Sequence, residues 1–573
     1  MWMKKALVPA LVLAAQAVPA QASVDVYPSA GTRVASPRTQ ISFRGVAPSQ
    51  LGRVTITGSR TGRHAFRVRA HSDGQGVSLL PRTPFRAGEV VQVRTPFDLS
   101  GSTNRQIRFR VARFASLPRF YFPDPVGNPN GVQRFRSDPG VRPPQLKVRT
   151  NAPGAAPGDI FVAPKGGPGQ NGPMITDRNG ALVWFRPLKG GDAALDFRTQ
   201  QYRGQPVLTW WEGRIFSPGE GAGVGVILDS SYRTIARVRA GNGYAADLHE
   251  FELTPRGTAL LLAYQPVRWR GELVTDAVVQ EVDVRTGLVE FEWHSLGHVD
   301  TSESYFRRTP QGSYDYIHAN SVEPEPDGNL LVSGRGTHTV YEIDRHTGNV
   351  LWRLGGKHST FKLGAGADFV SQHDARRAPD GTITIFDNGA PPIAKRPARA
   401  IVLSLDTAAK TAVLVRSFTH SNPALGSMSQ GSAQELPDGH YFVYWGNHSW
   451  MTEYDASGAV LFDAHFSPAA ADSYRGYRLP WSSPGRGHPR AAATAKGGST
   501  TVWASWNGST EVAAWQVLAG RSRSALAPLA TAPRHGFETA VTTTGTPRYV
   551  QVRALRADGT VLGTSAVVKP TGS

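Results

Sequence analysis

SQHDARRAPDGTITIFDNG, residues 371–389, decides how this chain is read. It places His373 at the start of a short strand-like run and Pro379-Asp380-Gly381 at a turn. The run Thr382-Ile383-Thr384-Ile385-Phe386 then alternates β-branched residues and ends in Asp387-Asn388-Gly389. A φ-permissive glycine between two strand-like runs predicts a β-hairpin. Counting outward from the turn places His373 and Asn388 nearly opposite each other at its open end.

Three other segments align on the same turn: DLHEFELTPRGTALLLAY, DYIHANSVEPEPDGNLLVSGR and SQGSAQELPDGHYFVYWGN. Their glycines, with Gly381, are Gly257, Gly328 and Gly439, at spacings of 71, 53 and 58 residues. After the second comes a further hairpin, THTVYEIDRHTGNVLWRLGG, which completes a unit of four strands. VVQEVDVRTGLVEFEWHS and WMTEYDASGAVLFDAHF close their own units in the same way, and DIFVAPK, GPMITDRNGALVWFRPL and GVGVILDSSYRTIARVRA supply earlier pieces. Four antiparallel strands per unit, repeated along residues 146–489, predict a β-propeller of about six blades. Stacked sandwiches could also repeat strands, but they seldom keep one turn at one phase.

Working outward, residues 23–115 hold short alternating runs such as QISFRGV, GRVTITGS and EVVQVRT, which predict a small β-sandwich. Its opening, YPSAGTRVASPRTQISF, resembles bacterial immunoglobulin-like domains of exported proteins. Residues 116–145 are rich in proline (Pro118, Pro123, Pro125, Pro129, Pro139, Pro143, Pro144) and read as an ordered linker laid onto the next domain. Residues 490–573 resemble a fibronectin type III domain, with Trp503 or Trp506 and Trp515 as core aromatics. The expected fold class is therefore all-β: a six-bladed propeller between an N-terminal immunoglobulin-like and a C-terminal fibronectin type III-like β-sandwich.

Residues 1–22 read as a secretory signal peptide. Lys4 and Lys5 form the basic start, an apolar stretch follows, and Ala20-Gln21-Ala22 is the cleavage site. An uncleaved anchor is the other reading, but the apolar run is shorter than a bilayer span. The expectation is a secreted or cell-surface protein with no membrane span after cleavage. There is no cysteine, which excludes disulfides, thiolate metal sites and cysteine nucleophiles. The net charge is +19. Only 11 of the 63 basic residues are lysine, and the arginines are scattered, so a nucleic-acid partner is not expected. A basic surface still steers anionic molecules inward.

In a propeller the first strand of each blade lines the central channel. The alignment puts His249, His318 and His373 at or near the start of that strand in three blades, with Ser429-Gln430-Gly431 in the fourth. Arg335 faces His318 across the open end of its hairpin. The other histidines, among them His294, lack this phase and read as surface or local partners. A neutral imidazole can be a nucleophile, a second can carry protons, and an arginine binds an oxygen-rich anion. Such a set suits transfer of a phosphoryl- or sulfuryl-like group. Three histidines could instead hold zinc. No carboxylate keeps the histidine phase, however, and Arg335 would repel a cation, so no metal is expected. Asp374 could stabilise a turn or act on the site. Trp210, Trp211, Tyr264, Phe386, Trp445 and Trp450 could stack on an aromatic ring, though most are expected to fill gaps between blades.

IHANSV…LLVSGR followed by SQHDA…GTITIFDNG resembles the bacterial arylsulfotransferases that work without 3′-phosphoadenylyl sulfate, over about residues 146–489. The resemblance implies a six-bladed propeller and a ping-pong reaction with no cofactor. A histidine takes sulfuryl from a phenolic sulfate donor and passes it to a phenolic acceptor. It makes His373 the sulfated nucleophile, with His318 and Arg335 holding the sulfuryl oxygens. His249 would aid binding or protonate the leaving phenoxide. Asn320 and Asn388 are candidate substrate-binding residues, with closure of blade edges as the other reading. The chain departs from the periplasmic members in lacking their disulfide, in its N-terminal β domain and in its fibronectin-like tail, and DLHEFEL around His249 is the thinnest part of the match. Two other functions remain: a non-catalytic propeller that binds anionic glycans or wall polymers at the cell surface, and a metal-dependent hydrolase or lyase.

Overall fold

The computed structural model describes residues 23–572 apart from 103, 117–119, 122–130, 218, 309–311, 393–395, 422–425 and 468–470. The expected signal peptide and Pro118, Pro123, Pro125 and Pro129 lie outside the described residues. Strands make up nearly all of its regular structure.

Between residues 145 and 479 the strands form six antiparallel units in chain order. The fourth is the simplest: Ala319–Pro324, Leu330–Gly334, Thr339–Ile343 and Val350–Gly355 pair side by side. The fifth begins with the hairpin His373–Arg377 and Ile383–Asp387. The four aligned turns share one geometry. Gly257, Gly328, Gly381 and Gly439 have φ of 78°, 92°, 88° and 80°. Each donates its N–H to the carbonyl three residues back. Left-handed backbone is cheap only for glycine, which is why the turn glycine recurs.

Each unit touches the next through its innermost strands, and the circuit returns to its start. Chain ends close it. Gly476–Leu479 pairs with Asp159–Val162, so the first unit is built from both ends of the region. Gln145–Asn151 pairs with Val460–Ser467 and adds an outer strand to the sixth. Buried side chains fill the space between neighbouring units, for example Leu260, Val279, Phe291, Trp293, Val322, Val332 and Tyr341 between the third and fourth. Trp210, Trp211, Phe386 and Trp445 are buried in such layers.

At the middle of the circuit lies an ion network that involves all six units. Arg475, with no exposed side-chain surface, lies 2.9 Å from Asp196, 3.2 Å from Glu250 and 3.2 Å from Asp374. Arg376 pairs with Glu250 at 2.7 Å and Asp374 at 2.9 Å, and Arg198 with Asp196 at 3.1 Å and Glu250 at 2.9 Å. Backbone joins in: Val322 N–H donates to Glu250 and Ala433 N–H to Asp374. Three guanidinium groups thus face these three buried carboxylates, with Glu252 a further partner of Arg198 at 2.6 Å, and an unpaired charge buried here costs several kcal/mol.

Two further pairs of sheets flank this region. The N-terminal pair shares a core of Ile41, Phe43 and Leu79 from one sheet with Ile56, Val93 and Phe109 from the other. The C-terminal pair packs Val502 and Val541 against Val517, Val550 and Val552, with Trp506 and Trp515 inside. Trp503 stays outside this core, under the Arg136 guanidinium at 4.5 Å. Both pairs dock closely. Gln40 and Ser42 donate to the Val289 carbonyl, and Asn507 exchanges hydrogen bonds with the Phe185 backbone as a strand would. From the proline-rich segment, the N–H groups of Arg136 and Ser137 donate to Glu538. No helix among the described residues is long and apolar enough to cross a membrane.

Replacing Arg475 with methionine leaves Asp196, Glu250 and Asp374 short of a cation. The expected cost is ~3–5 kcal/mol, read as a lower urea midpoint for the main transition. A midpoint at the wild-type value would show that the network is not needed.

Candidate functional site

One cavity of about 1660 Å³ opens at the end of the circuit where the innermost strands begin. His249, His318, Arg335, His373, Tyr264 and Tyr474 line it. His249 lies two residues before the strand Phe251–Leu253, His318 one before Ala319–Pro324, and His373 is the first residue of His373–Arg377. The backbone is bent sharply here. His318, Ser371, Asp374 and Gln430 have φ of 45°, 55°, 53° and 65° although none is glycine. Such strain gathers where side chains must be aimed.

The rings are in contact. His249 and His318 meet edge-on with centroids 4.8 Å apart. Tyr264 stacks on His318 at 5.8 Å, and Tyr474 meets His249 at 5.6 Å and His373 at 6.4 Å. The Arg335 N–H donates to the His318 carbonyl at 3.0 Å, so the two sit face to face across their hairpin as counted. The Arg335 side chain lies over Phe306 at 5.1 Å and donates to the Met428 carbonyl at 2.9 Å. Its Nε is buried without a hydrogen-bond partner, and no carboxylate among the described residues pairs with it. Burial, opposed in part by Asp315, lowers its proton affinity.

Each histidine is held through Nδ1. Asp315 takes His318 at 2.5 Å, Asp247 takes His249, and Asn388 Oδ1 lies 2.8 Å from His373 Nδ1. Two of the histidines thus have carboxylate partners, although no carboxylate keeps the histidine phase along the chain. Asp247 precedes its histidine by two residues and Asp315 by three, and counting at one fixed phase misses unequal offsets. Burial pushes His249 down despite Asp247. Burial, with Arg335 next in importance, pushes His373 well below the usual 6.5, so it is neutral and keeps a lone pair.

Two expectations change in detail. His373 pairs with Phe386 rather than with Asn388, because the register shifts between His373 and Arg376 at a bulge; the imidazole reaches Asn388 through its side chain. Asn320 and Asn388, expected to bind substrate, are fully buried and stand behind the cavity wall. Asn320 Nδ2 donates to the Gln372 carbonyl at 2.7 Å, and Asn388 Nδ2 donates to Ser427 and to the Gln430 carbonyl. Asp374 belongs to the central ion network. His294, off phase, is buried between Asp276 and Glu292; burial opposes its charge, but the two carboxylates raise it to about 10. Tyr474, remote in sequence, gave no local signal of its place in the wall.

Among the described residues, one group of three His, Asp or Glu side chains brings its ligand atoms within 4.8 Å, and it lies elsewhere: His71, Asp73 and Glu290. Arg44 already reaches all three, at 3.0, 2.6 and 3.2 Å, and fills the position a cation would take.

A family described as Arylsulfotransferase (ASST) matches residues 198–467, the stretch that carries all three cavity histidines and Arg335. A search of curated proteins finds no match. Solved structures with a similar course include a protein of unknown function from Bacteroides caccae, with 15% identity, 56% of this chain and 100% of that chain covered, and a TM-score of 0.37. A catalytically inactive virginiamycin B lyase from Staphylococcus aureus with quinupristin has 11% identity, 63% and 97% coverage and a TM-score of 0.29. An auxiliary nutrient binding protein from Bacteroides ovatus has 12% identity, 81% and 92% coverage and a TM-score of 0.28.

The ring of His373 is expected to stay neutral as pH falls through 6.5, followed by NMR of labelled histidine. Because Arg335 is part of the cause, Arg335→Ala moves its protonation to higher pH. An ordinary titration near 6.5 in the wild type would contradict the site as described.

Proposed function

Residues 198–467 belong to the arylsulfotransferase family, and we propose that the chain moves a sulfuryl group from a phenolic sulfate ester to a phenol by way of a sulfated His373. The observation that carries this reading is Arg335: a half-buried guanidinium on the cavity wall, its Nε sealed off, without a carboxylate partner among the described residues, beside a neutral imidazole. An oxyanion is the ligand such a group lacks.

In this reading the Nε2 lone pair of His373 attacks sulfur. Arg335 and His318 hold the sulfuryl oxygens, whose charge rearranges as the S–O bond breaks. The fraction of His249 that Asp247 keeps charged gives its proton to the leaving phenoxide. The acceptor phenol then enters, His249 takes its proton, and its oxygen displaces His373 from sulfur. Donor and acceptor use the cavity in turn, which makes the kinetics ping-pong, and neither nucleotide nor metal enters the reaction. Tyr264 and Tyr474 offer faces for the phenol ring.

The same reading takes the six units as the blades of a β-propeller spanning residues 146–489. Immunoglobulin-like residues 23–115 and fibronectin type III-like residues 490–573 flank it, joined on the N-terminal side by the linker 116–145. Residues 1–22 act as a signal for export, and the flanking sandwiches are candidates for attachment at the cell surface.

The test is release of nitrophenol from 4-nitrophenyl sulfate by the mature protein, with and without phenol and with chelator present. Release is expected to need phenol and to survive the chelator. It is lost in His373→Ala and falls roughly 10²–10³-fold in Arg335→Ala. Because His373 resists protonation, kcat/KM for the donor holds as pH falls through 6.5. Wild-type turnover by His373→Ala would refute the assignment, and release without an acceptor would point to hydrolysis.

A further inference from the structure

The three cavity histidines differ in what holds Nδ1. His249 and His318 have carboxylates, Asp247 and Asp315, whereas His373 has the amide of Asn388 at 2.8 Å, with the Ser371 carbonyl farther off at 3.2 Å. The orientation of that amide is determined by its other end. Asn388 Nδ2 donates to Ser427 Oγ at 3.1 Å and to the Gln430 carbonyl at 3.0 Å, which leaves Oδ1 to face the ring. A carbonyl oxygen only accepts, so His373 carries its proton on Nδ1 and its lone pair on Nε2. The Gln430 N–H, donating to Nε2 at 3.1 Å, requires the same tautomer. Asn388 has no exposed surface and does not line the cavity, so it acts on the site either through His373 or through the 427–430 segment it holds.

We propose that Asn388 is a positioning residue whose neutral amide fixes the His373 tautomer and keeps the N–S bond of the sulfated ring easy to break. This rests on the sulfohistidine reading above. In the first half-reaction the Nε2 pair gives up its hydrogen bond from the Gln430 N–H and forms the N–S bond, the aryl S–O bond breaks, and the phenoxide leaves with the S–O pair and takes a proton from charged His249. The ring is then cationic and shares its Nδ1 proton with Asn388. In the second, the phenol proton goes to His249, the phenol oxygen forms the new S–O bond, and the N–S pair returns to Nε2. A carboxylate in place of the amide would draw off the Nδ1 proton. The electron-rich ring left behind holds sulfur more tightly and is the poorer leaving group. In the free enzyme the same carboxylate would raise the basicity of His373 and cost it the lone pair at mildly acid pH. Carboxylates suit His249 and His318, which handle protons and oxygens; an amide suits the ring that must both take sulfur and release it.

The experiment is Asn388→Asp, with folding checked by thermal melting. The enzyme is pulsed with 4-nitrophenyl sulfate, sulfate on His373 is measured by intact and peptide mass, and phenol is then added as a chase. In Asn388→Asp the chase slows by roughly tenfold or more relative to sulfation, and the acid limb of kcat/KM for the donor moves to higher pH. Ser427→Ala breaks one bond to Asn388 without adding a charge, and leaves the acid limb in place. If Asn388→Asp slows both half-reactions alike and its acid limb does not move, Asn388 only braces the 427–430 loop and the proposal is overturned. Wild-type enzyme that never carries sulfate on His373 would instead overturn the sulfohistidine reading.

Discussion

Arg475 and the carboxylates around it are the constraint on which the rest of this structure depends. Six units can meet around an axis only if the side chains of their innermost strands fill it, and here the filling is charged. Asp196, Glu250 and Asp374 each come from a different unit, as do Arg198, Arg376 and Arg475. All three carboxylates are buried, and each is held by at least two of these guanidinium groups. The network therefore specifies which units must be neighbours as well as helping to hold them.

One step along the same axis the rule is reversed. Tyr474, the residue before Arg475, passes its hydroxyl to the Asn320 carbonyl and turns its ring toward His249 and His373. Above it Arg335 has no carboxylate partner among the described residues, and burial, with the positive field Arg335 adds, keeps His373 neutral. A layer of paired charges thus lies below one whose guanidinium has no carboxylate partner among the described residues. The left-handed residues His318, Ser371 and Gln430 show the cost of aiming side chains at this layer; they are tolerated because the strands that follow are packed on both faces.

Much of this was legible in the chain. The turn glycines alone carried the repeat, because positive φ at a tight hairpin nearly demands glycine, and the histidines could be counted from them. Counting worked for Arg335 opposite His318, although the register shifts between Ala319 and Ser321 on the way to the open end. It slipped at His373, where a bulge takes up residues that a turn count cannot see. Asp247 and Asp315 stood in the quoted segments but at unequal distances from their histidines, so no fixed phase revealed them. Asn320 looked like a substrate ligand because it follows His318 by two residues, and Asn388 because the turn count set it opposite His373; the fold turns both behind the wall.

The sequence by itself determined the number and kind of strands, the period of the repeat, and which three histidines and which arginine share one end, since all of these follow from local spacing and backbone preference. Only the tertiary structure decided the partners. Gly476–Leu479 meets Asp159–Val162 from more than 300 residues away, Tyr474 enters the wall by that closure, and Asn388 rather than a carboxylate comes to rest on His373. These contacts depend on how far each unit is rotated against the next, which packing across the whole circuit sets and no single stretch of chain encodes.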